Sequence, residues 1–342
     1  VQSEGLFDLQ VNGYAGVDFN DVGLTAQAMD TALEAMLHDG VTGCLPTLIT
    51  ATPAKLLERF AALDAAVRDS RLGPVMVPGY HLEGPFLNAS DGYHGCHPRA
   101  AMTDPVATLP GELEARLSRP ILLLTIAPER TGAIPAIRHW SGLGKTVAVA
   151  HSAAGFEVIR AAADAGLTLS THLGNGLPQM LPKLDNTLLA QLAEPRLTAC
   201  LIADGIHIPK EALRALIALK GPKNCILVSD AVVAAAMPAG AYSFAGMEVH
   251  LQDDGRVLQP SGSGLAGSAL RLDQAVRNLA DWSISTPQEA AAMAGSAARA
   301  ALCRSLTYHG ISLDPGLLNW SEALEPNVAK MPTIDTKPGF GT

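Results

Sequence analysis

The sequence predicts an α/β protein: a (β/α)8 barrel of the TIM type, with a reduced or vestigial small β-domain drawn from the chain ends. Three observations lead there. Eight short apolar runs, many of them β-branched, recur along the 342 residues. Alanine- and leucine-rich stretches with helical spacing separate them. Histidines and carboxylates stand where several of the runs end. Continuous apolar strands alternating with helices describe a parallel sheet covered on its outside, and eight such units close into a barrel more readily than they form an open sheet. The first run lacks a GxGxxG turn, which argues against a dinucleotide-binding sheet.

The eight expected strands cover residues 6–11, 41–48, 75–82, 121–126, 146–150, 167–171, 197–203 and 225–229. Helical spacing marks 25–38, 53–68, 156–165 and 210–219 among the segments between them, and Pro53 and Pro209 stand at or just before helix starts, where proline is tolerated. After the eighth strand, residues 232–267 form a loop region with a hairpin signal, AYSFAG followed by MEVHLQDDGRVLQ. Helices are expected over 268–282 and 287–301. The tail beyond His309 is rich in proline, asparagine and glycine and carries only weak strand signals, as a small appended sheet or an irregular wrap would. The division is therefore a barrel over 5–305, including a hairpin insertion at 240–260, and a tail or small β-domain remnant over 306–342.

Composition excludes several functions. With 24 basic against 33 acidic residues and a net charge of −9, the chain lacks the basic footprint that nucleic acid or an anionic membrane requires. The apolar run at 121–127 is far shorter than the roughly 20 residues of a membrane helix, and the first residues do not read as a charged-then-apolar leader. Five scattered cysteines without a CxxC pair suit a reducing, cytoplasmic setting.

On the first strand Asp8, Gln10 and Asn12 share one face, because side chains alternate. Many metal hydrolases carry two histidines where Gln10 and Asn12 stand, and amides bind transition metals poorly. The remaining strands supply the charged groups. His81 and Glu83 end the third, His151 the fifth and His172 the sixth; His207 follows the seventh and Asp230 the eighth. All lie at carboxyl ends, where parallel barrels build their sites. Glu83, His151 and His172 suit one divalent metal, zinc first, with iron, manganese or cobalt also compatible, and three protein ligands leave a position open. Asp230 is then placed to accept a proton from water. Either His94 or His97, on the glycine-containing loop after strand three, can reach over the metal and polarise a carbonyl. The small residues at 261–270 precede a helix and can offer amides to a polar ligand. Cys96 lacks a nucleophile's partner.

HLEGPFLN, AHSAAG, THLGN, ADGIHI, LVSDA and LAGSAL stand in the order and spacing seen in N-acetylglucosamine-6-phosphate deacetylases of the amidohydrolase superfamily, and the resemblance runs from about residue 5 to 301. It implies hydrolysis of an N-acetylated amino-sugar phosphate to acetate and a free amine, and commonly a homodimer. By motif it makes Glu83, His151 and His172 the metal ligands, Asp230 the catalytic acid/base and His97 the residue that polarises the acetyl carbonyl. His207, Asn175, Gly176, the backbone near Cys96, and Leu265, Ala266 and Gly267 resemble substrate-contacting positions. Gln10 and Asn12 fill a vacant second-metal position. The chain departs from the family in reading THLGNGL for THLFNAM and in lacking a phosphate-binding arginine, for which Lys183 stands. A lysine keeps the charge but loses the bidentate fork. Two rivals follow: a deacylase of an unphosphorylated sugar or N-acyl amino acid, and a non-catalytic sugar-binding barrel.

Overall fold

The computed structural model describes residues 2–259, 262 and 264–336. Eight parallel strands follow one another around a sheet: β1 Leu6–Val11, β2 Val41–Ile49, β3 Tyr80–Glu83, β4 Ile121–Ile126, β5 Thr146–Val149, β6 Leu167–Ser170, β7 Thr198–Leu201 and β8 Cys225–Leu227. Each pairs with its sequence neighbour, so every crossover is a short βα unit. The ends of the sheet meet just past β8. Val11 bridges Ala231 in parallel, and Asp230 N and Asn12 N donate to Gln10 O (3.0 Å) and Ala231 O (2.7 Å). The Asp8 carboxylate adds a bond from Ser229 N at 3.2 Å. Closure therefore runs through the polar residues of β1, which gives Asp8 a structural task.

Helices α1 Ala26–His38, α2 Pro53–Asp69, α3 Leu109–Glu114, α4 Ala133–Gly142, α5 Phe156–Ala165, α6 Thr187–Ala193 and α7 Lys210–Lys220 cover the outside. Thr25 and Thr52 cap α1 and α2 with their hydroxyls, supplying acceptors that the first helical amides otherwise lack. The expected third strand is shorter than its apolar run, because residues 73–76 turn helically. Pro74 suits a first helical turn, and the Ser70 hydroxyl accepts from Gly73 N at 3.0 Å. The expected helix over 287–301 is two helices, α9 Pro287–Met293 and α10 Ser296–Tyr308, after α8 Leu272–Asp281. They part at Gly295, where a Cβ would stand 2.9 Å from Gly5 O. The chain start presses on this spot, and Arg299 donates to Gly5 O at 2.7 Å.

Two appendages complete the chain. Above the carboxyl rim β9 Gly240–Phe244, β10 Met247–Leu251 and β11 Val257–Leu258 form an antiparallel sheet. Phe244, Val249, Leu251 and Val257 pack on Ile49 and Val232, and each such buried side chain contributes about 1.5–3 kcal/mol. Arg59 ties this sheet to α2 by donating to Ala245 O at 2.9 Å. At the opposite end the tail forms a small β-domain: Gln2–Glu4 pairs with β13 Leu317–Trp320, which pairs with β14 Pro326–Lys330, and β12 Ile311–Asp314 pairs with β15 Thr333–Thr336. Residues 337–342 of the expected tail lie outside the described residues. No described helix is long and apolar enough to cross a membrane.

Candidate active site

The carboxyl ends of β3, β5, β6 and β8 converge on one buried carboxylate. Glu83 ends β3 and is 2% exposed. Its Oε1 lies 2.9 Å from His172 Nε2 and 3.7 Å from His151 Nε2, and its Oε2 lies 3.7 Å from His97 Nε2. Ligand atoms of Glu83, His97 and His151 fall within 4.8 Å of one another. His151, His172 and Asp230 follow their strands with φ of +49°, +30° and +49°. Left-handed backbone at non-glycine residues costs about 1–3 kcal/mol each and persists only where surrounding contacts impose it. Three of the eight non-glycine residues with positive φ among the described residues thus stand at this one rim.

Hydrogen bonding separates the imidazoles chemically. His151 Nδ1 lies 2.6 Å from the Tyr93 carbonyl, which can only accept. Nδ1 therefore carries the proton, and Nε2 offers its lone pair toward Glu83, as a metal ligand must. His97 Nδ1 instead meets the Thr50 hydroxyl at 2.9 Å. A hydroxyl can donate or accept, so His97 Nε2 can present either a lone pair or a proton. His172 Nδ1 has no partner among the described residues. Burial alone would raise the Glu83 carboxyl, but the imidazoles of His151, His172 and His97 around it, with His172 within hydrogen-bond distance, hold it well below its ordinary value. Burial, reinforced by His151, pushes His97 down to about 3. His172 moves upward: burial lowers it, and Glu83 more than reverses that.

Asp230 faces this group across the cavity. Its Oδ1 accepts from Asn12 Nδ2 at 2.8 Å. Burial, partly offset by His172 and reinforced by Glu83, raises it to about 6. Asn12 therefore has a definite partner, while its Oδ1 and both amide atoms of the neighbouring Gln10 are buried without one among the described residues. His81 lies beneath the rim. It is fully buried between the Thr47 and Thr125 hydroxyls (3.2 and 2.7 Å) and lowered by burial to about 4, a core residue of the barrel interior.

A cavity of about 720 Å³ opens above these groups. Asn12, Glu83, His94, Cys96, His97, His151, His172, Asn175, Gly176, His207, Asp230, Leu265 and Gly267 all line it, so residues scattered over the sequence meet in one place. His207 is held by Asp204, Nδ1 to Oδ2 at 2.6 Å. Ala266 is buried beside the cavity without lining it. Lys183 does not line it either; it is exposed on the loop after β6. Ser261 and Ser263 of the small-residue segment lie outside the described residues. Burial, with Asp230 and Glu83 nearby, pushes the Cys96 thiol up to about 12, which removes it as a thiolate nucleophile. Sequence reasoning missed the Tyr93 carbonyl and Thr50, which fix imidazoles, and Phe244 and Gln259, which bring the hairpin sheet into the cavity wall. A backbone carbonyl leaves no trace in residue type, but Phe244 ends an apolar alternation that could have marked it as inward-facing.

A parallel (β/α)8 barrel with a carboxylate, clustered imidazoles and a facing aspartate at its carboxyl rim has the layout of a metal-dependent hydrolase. No family model matches the chain. It is 35% identical over 292 residues to the N-acetylgalactosamine-6-phosphate deacetylase of Escherichia coli O157:H7, covering 84% of this chain and 74% of that protein. It is 31% identical over 281 residues to the N-acetylglucosamine-6-phosphate deacetylase of Vibrio furnissii, covering 81% and 68%. Among solved structures, the Mycobacterium smegmatis N-acetyl-D-glucosamine-6-phosphate deacetylase, an alanine mutant in complex with N-acetyl-D-glucosamine-6-phosphate, matches with a TM-score of 0.83 at 25% identity, over 98% of this chain and 87% of that one. The chain belongs to the N-acetylglucosamine-6-phosphate deacetylase family of amidohydrolases.

Proposed function

We propose that the protein hydrolyses the acetamide of an N-acetylated amino-sugar 6-phosphate, N-acetylglucosamine 6-phosphate first, to acetate and the amino-sugar phosphate. The observation that carries this is the meeting of Glu83, His97, His151, His172 and Asp230 at one cavity. The donor set fits one divalent ion, zinc first: Glu83, His151 and His172 would hold it, with His151 already fixed in the ligating tautomer. When bound, such an ion supplies Lewis acidity, which polarises a carbonyl and acidifies a water. Asp230 takes the proton of the attacking water and returns it to the leaving nitrogen, two roles that a carboxyl raised toward neutrality can alternate between. In its Nε2–H tautomer, with the ring oriented by the Thr50 hydroxyl 2.9 Å from Nδ1, His97 donates to the acetyl oxygen as negative charge develops. His207, Asn175 and Gly176 hold the sugar. Gln10 and Asn12 leave the second-metal position to water, Asn12 serving Asp230 instead.

One observation favours a second reading. Among the described residues lining the cavity there is neither lysine nor arginine, so an unphosphorylated N-acetylated sugar or another N-acyl substrate would meet no lost charge. Steady-state kinetics on N-acetylglucosamine 6-phosphate, N-acetylgalactosamine 6-phosphate and N-acetylglucosamine separates the two. A recognised phosphate is worth roughly 10–100-fold in kcat/KM, the scale of a hydrogen-bonded charge; equal values select the second reading. A homodimer is supported by the resemblance and by Met180 and Leu184, 86% and 73% exposed on either side of Lys183 near the cavity. Five free thiols support a reducing, cytoplasmic setting.

A further inference from the structure

Seven of the eight strands bring a polar group named above to the rim or the closure of the barrel; β4 is instead followed by Glu129, which neither lines the cavity nor ends a strand. Ala127, Pro128 and Glu129 follow β4 directly. Glu129 Oε1 accepts from Asn88 Nδ2 at 2.9 Å and from Ala153 N at 2.6 Å, and its Oε2 accepts from the Ser152 hydroxyl at 2.7 Å. One carboxylate thus joins the loop after β3 to the loop after β5.

Both of those loops hold His151. Asn88 N donates to His151 O at 3.0 Å. The Tyr93 carbonyl, on the same loop as Asn88, fixes Nδ1. Ser152 and Ala153, bound by Glu129, are the next residues along the chain. His151 itself has its unfavourable φ of +49°, a state that surrounding contacts must impose. Bonds to an ionised acceptor are about twice as strong as neutral ones, and Glu129 concentrates three of them around this turn. We propose that Glu129 is a positioning residue for His151: it sets the direction of Nε2, and through it the metal affinity of the site, without touching substrate or metal. The proposal rests on His151 being a ligand.

The test is the dissociation constant for zinc ion of the full chain, measured by chelator competition. It is accompanied by the melting temperature of the metal-free protein and the visible spectrum of its cobalt form. E129A is expected to weaken zinc binding about 10–100-fold, the usual cost of losing an outer hydrogen-bonding partner of a ligand, and to alter the cobalt bands, while the metal-free protein still melts cooperatively. E129Q keeps an oxygen for Asn88 and Ala153 and is expected to recover most of the affinity. If E129A does not fold, the N88A/S152A double variant keeps Glu129 and removes two of its three bonds; it should weaken zinc by about tenfold or more. Unchanged zinc affinity and cobalt spectrum in E129A, or in the double variant if E129A does not fold, would overturn the proposal, as would an E129Q as impaired as E129A. If the wild-type chain binds no divalent ion, the ligand reading of His151 fails first, and the proposal falls with it.

Discussion

The two ends of the barrel use polar residues in opposite ways. At the amino end they are paired. Lys145, with a side chain 3% exposed, meets Glu114, whose Oε1 also accepts from Ile121 N at 2.6 Å. Thr42 donates to Pro315 O at 2.7 Å, and Trp320 Nε1 to Ser3 Oγ at 2.7 Å, fixing the small β-domain. At the carboxyl end and just below it, polarity is left unspent. Six of the ten buried side-chain atoms without a hydrogen-bond partner among the described residues belong to Gln10, Asn12, His94, Ser170 and His172. Unpaired buried polar groups destabilise a fold by about 1–3 kcal/mol each, so they persist where function needs them. One end ties its polar groups into the fold, and the other leaves several of them without a protein partner.

Substitutions at the two ends should therefore separate activity from stability. The largest effect is expected for Asp230→Asn. The amide keeps the Asn12 contact but cannot shuttle a proton, so kcat should fall about 10²–10⁴-fold with metal content unchanged. Metal analysis beside kinetics checks it, and retained activity would reject Asp230 as acid/base. At the other end Glu114→Ala takes the carboxylate from the buried Lys145 ammonium, whose pKa burial already lowers, and leaves it only the longer contact to His309 Nε2 at 3.4 Å. Removing one partner of a buried pair costs about 3–5 kcal/mol. Urea unfolding should show that loss, while kcat of the folded enzyme stays at the wild-type value.

Asp8 lies between these regimes, bonded at the barrel closure yet pushed by burial up to about 7. Its folded pKa exceeds the unfolded value near 3.9, so the native state holds the proton more tightly. The stability it contributes is full below about pH 4 and is lost as pH rises through about 7. Asp8→Asn removes this dependence. The stability of the variant relative to wild type should grow from pH 5 to pH 8, by on the order of 2–4 kcal/mol. Denaturant titrations across that range measure it, and parallel curves for the two proteins would show that Asp8 does not titrate there.

How much of this was legible follows the same division. Strands buried on both faces read as apolar runs, so the barrel and its order were visible, and strand ends carried the residue types of the site. What escaped depends on contacts distant in sequence. The strand Gln2–Glu4 finds β13 more than 300 residues away, and β13 and β14 are short and partly exposed, which weakens their alternation. The break at Gly295 is set by Gly5 O, and the tautomer of His151 by a carbonyl on another loop. Lys183, which the resemblance sets at a phosphate-binding position, stands exposed on the loop after β6, a placement that residue type alone does not reveal.

Glycine to alanine, made once at each end, gives the smallest effects and the cleanest contrast. At Gly176, with φ of +63°, a Cβ would stand 2.4 Å from His151 Nδ1 and 2.6 Å from its Cε1. The ring must shift and its bond to Tyr93 must weaken, so Gly176→Ala should cost about tenfold or more in zinc affinity and about 1 kcal/mol in stability. At Gly111, inside α3 and near the Lys145–Glu114 pair, a Cβ meets nothing within 4 Å. Gly111→Ala should stabilise the fold by about 0.5–1 kcal/mol through lost unfolded-chain entropy, with metal affinity and kcat unchanged. Opposite signs for one chemical change would locate the constraint on backbone shape at the functional rim. Equal, small effects at both positions would mean that His151 is not held by close backbone approach.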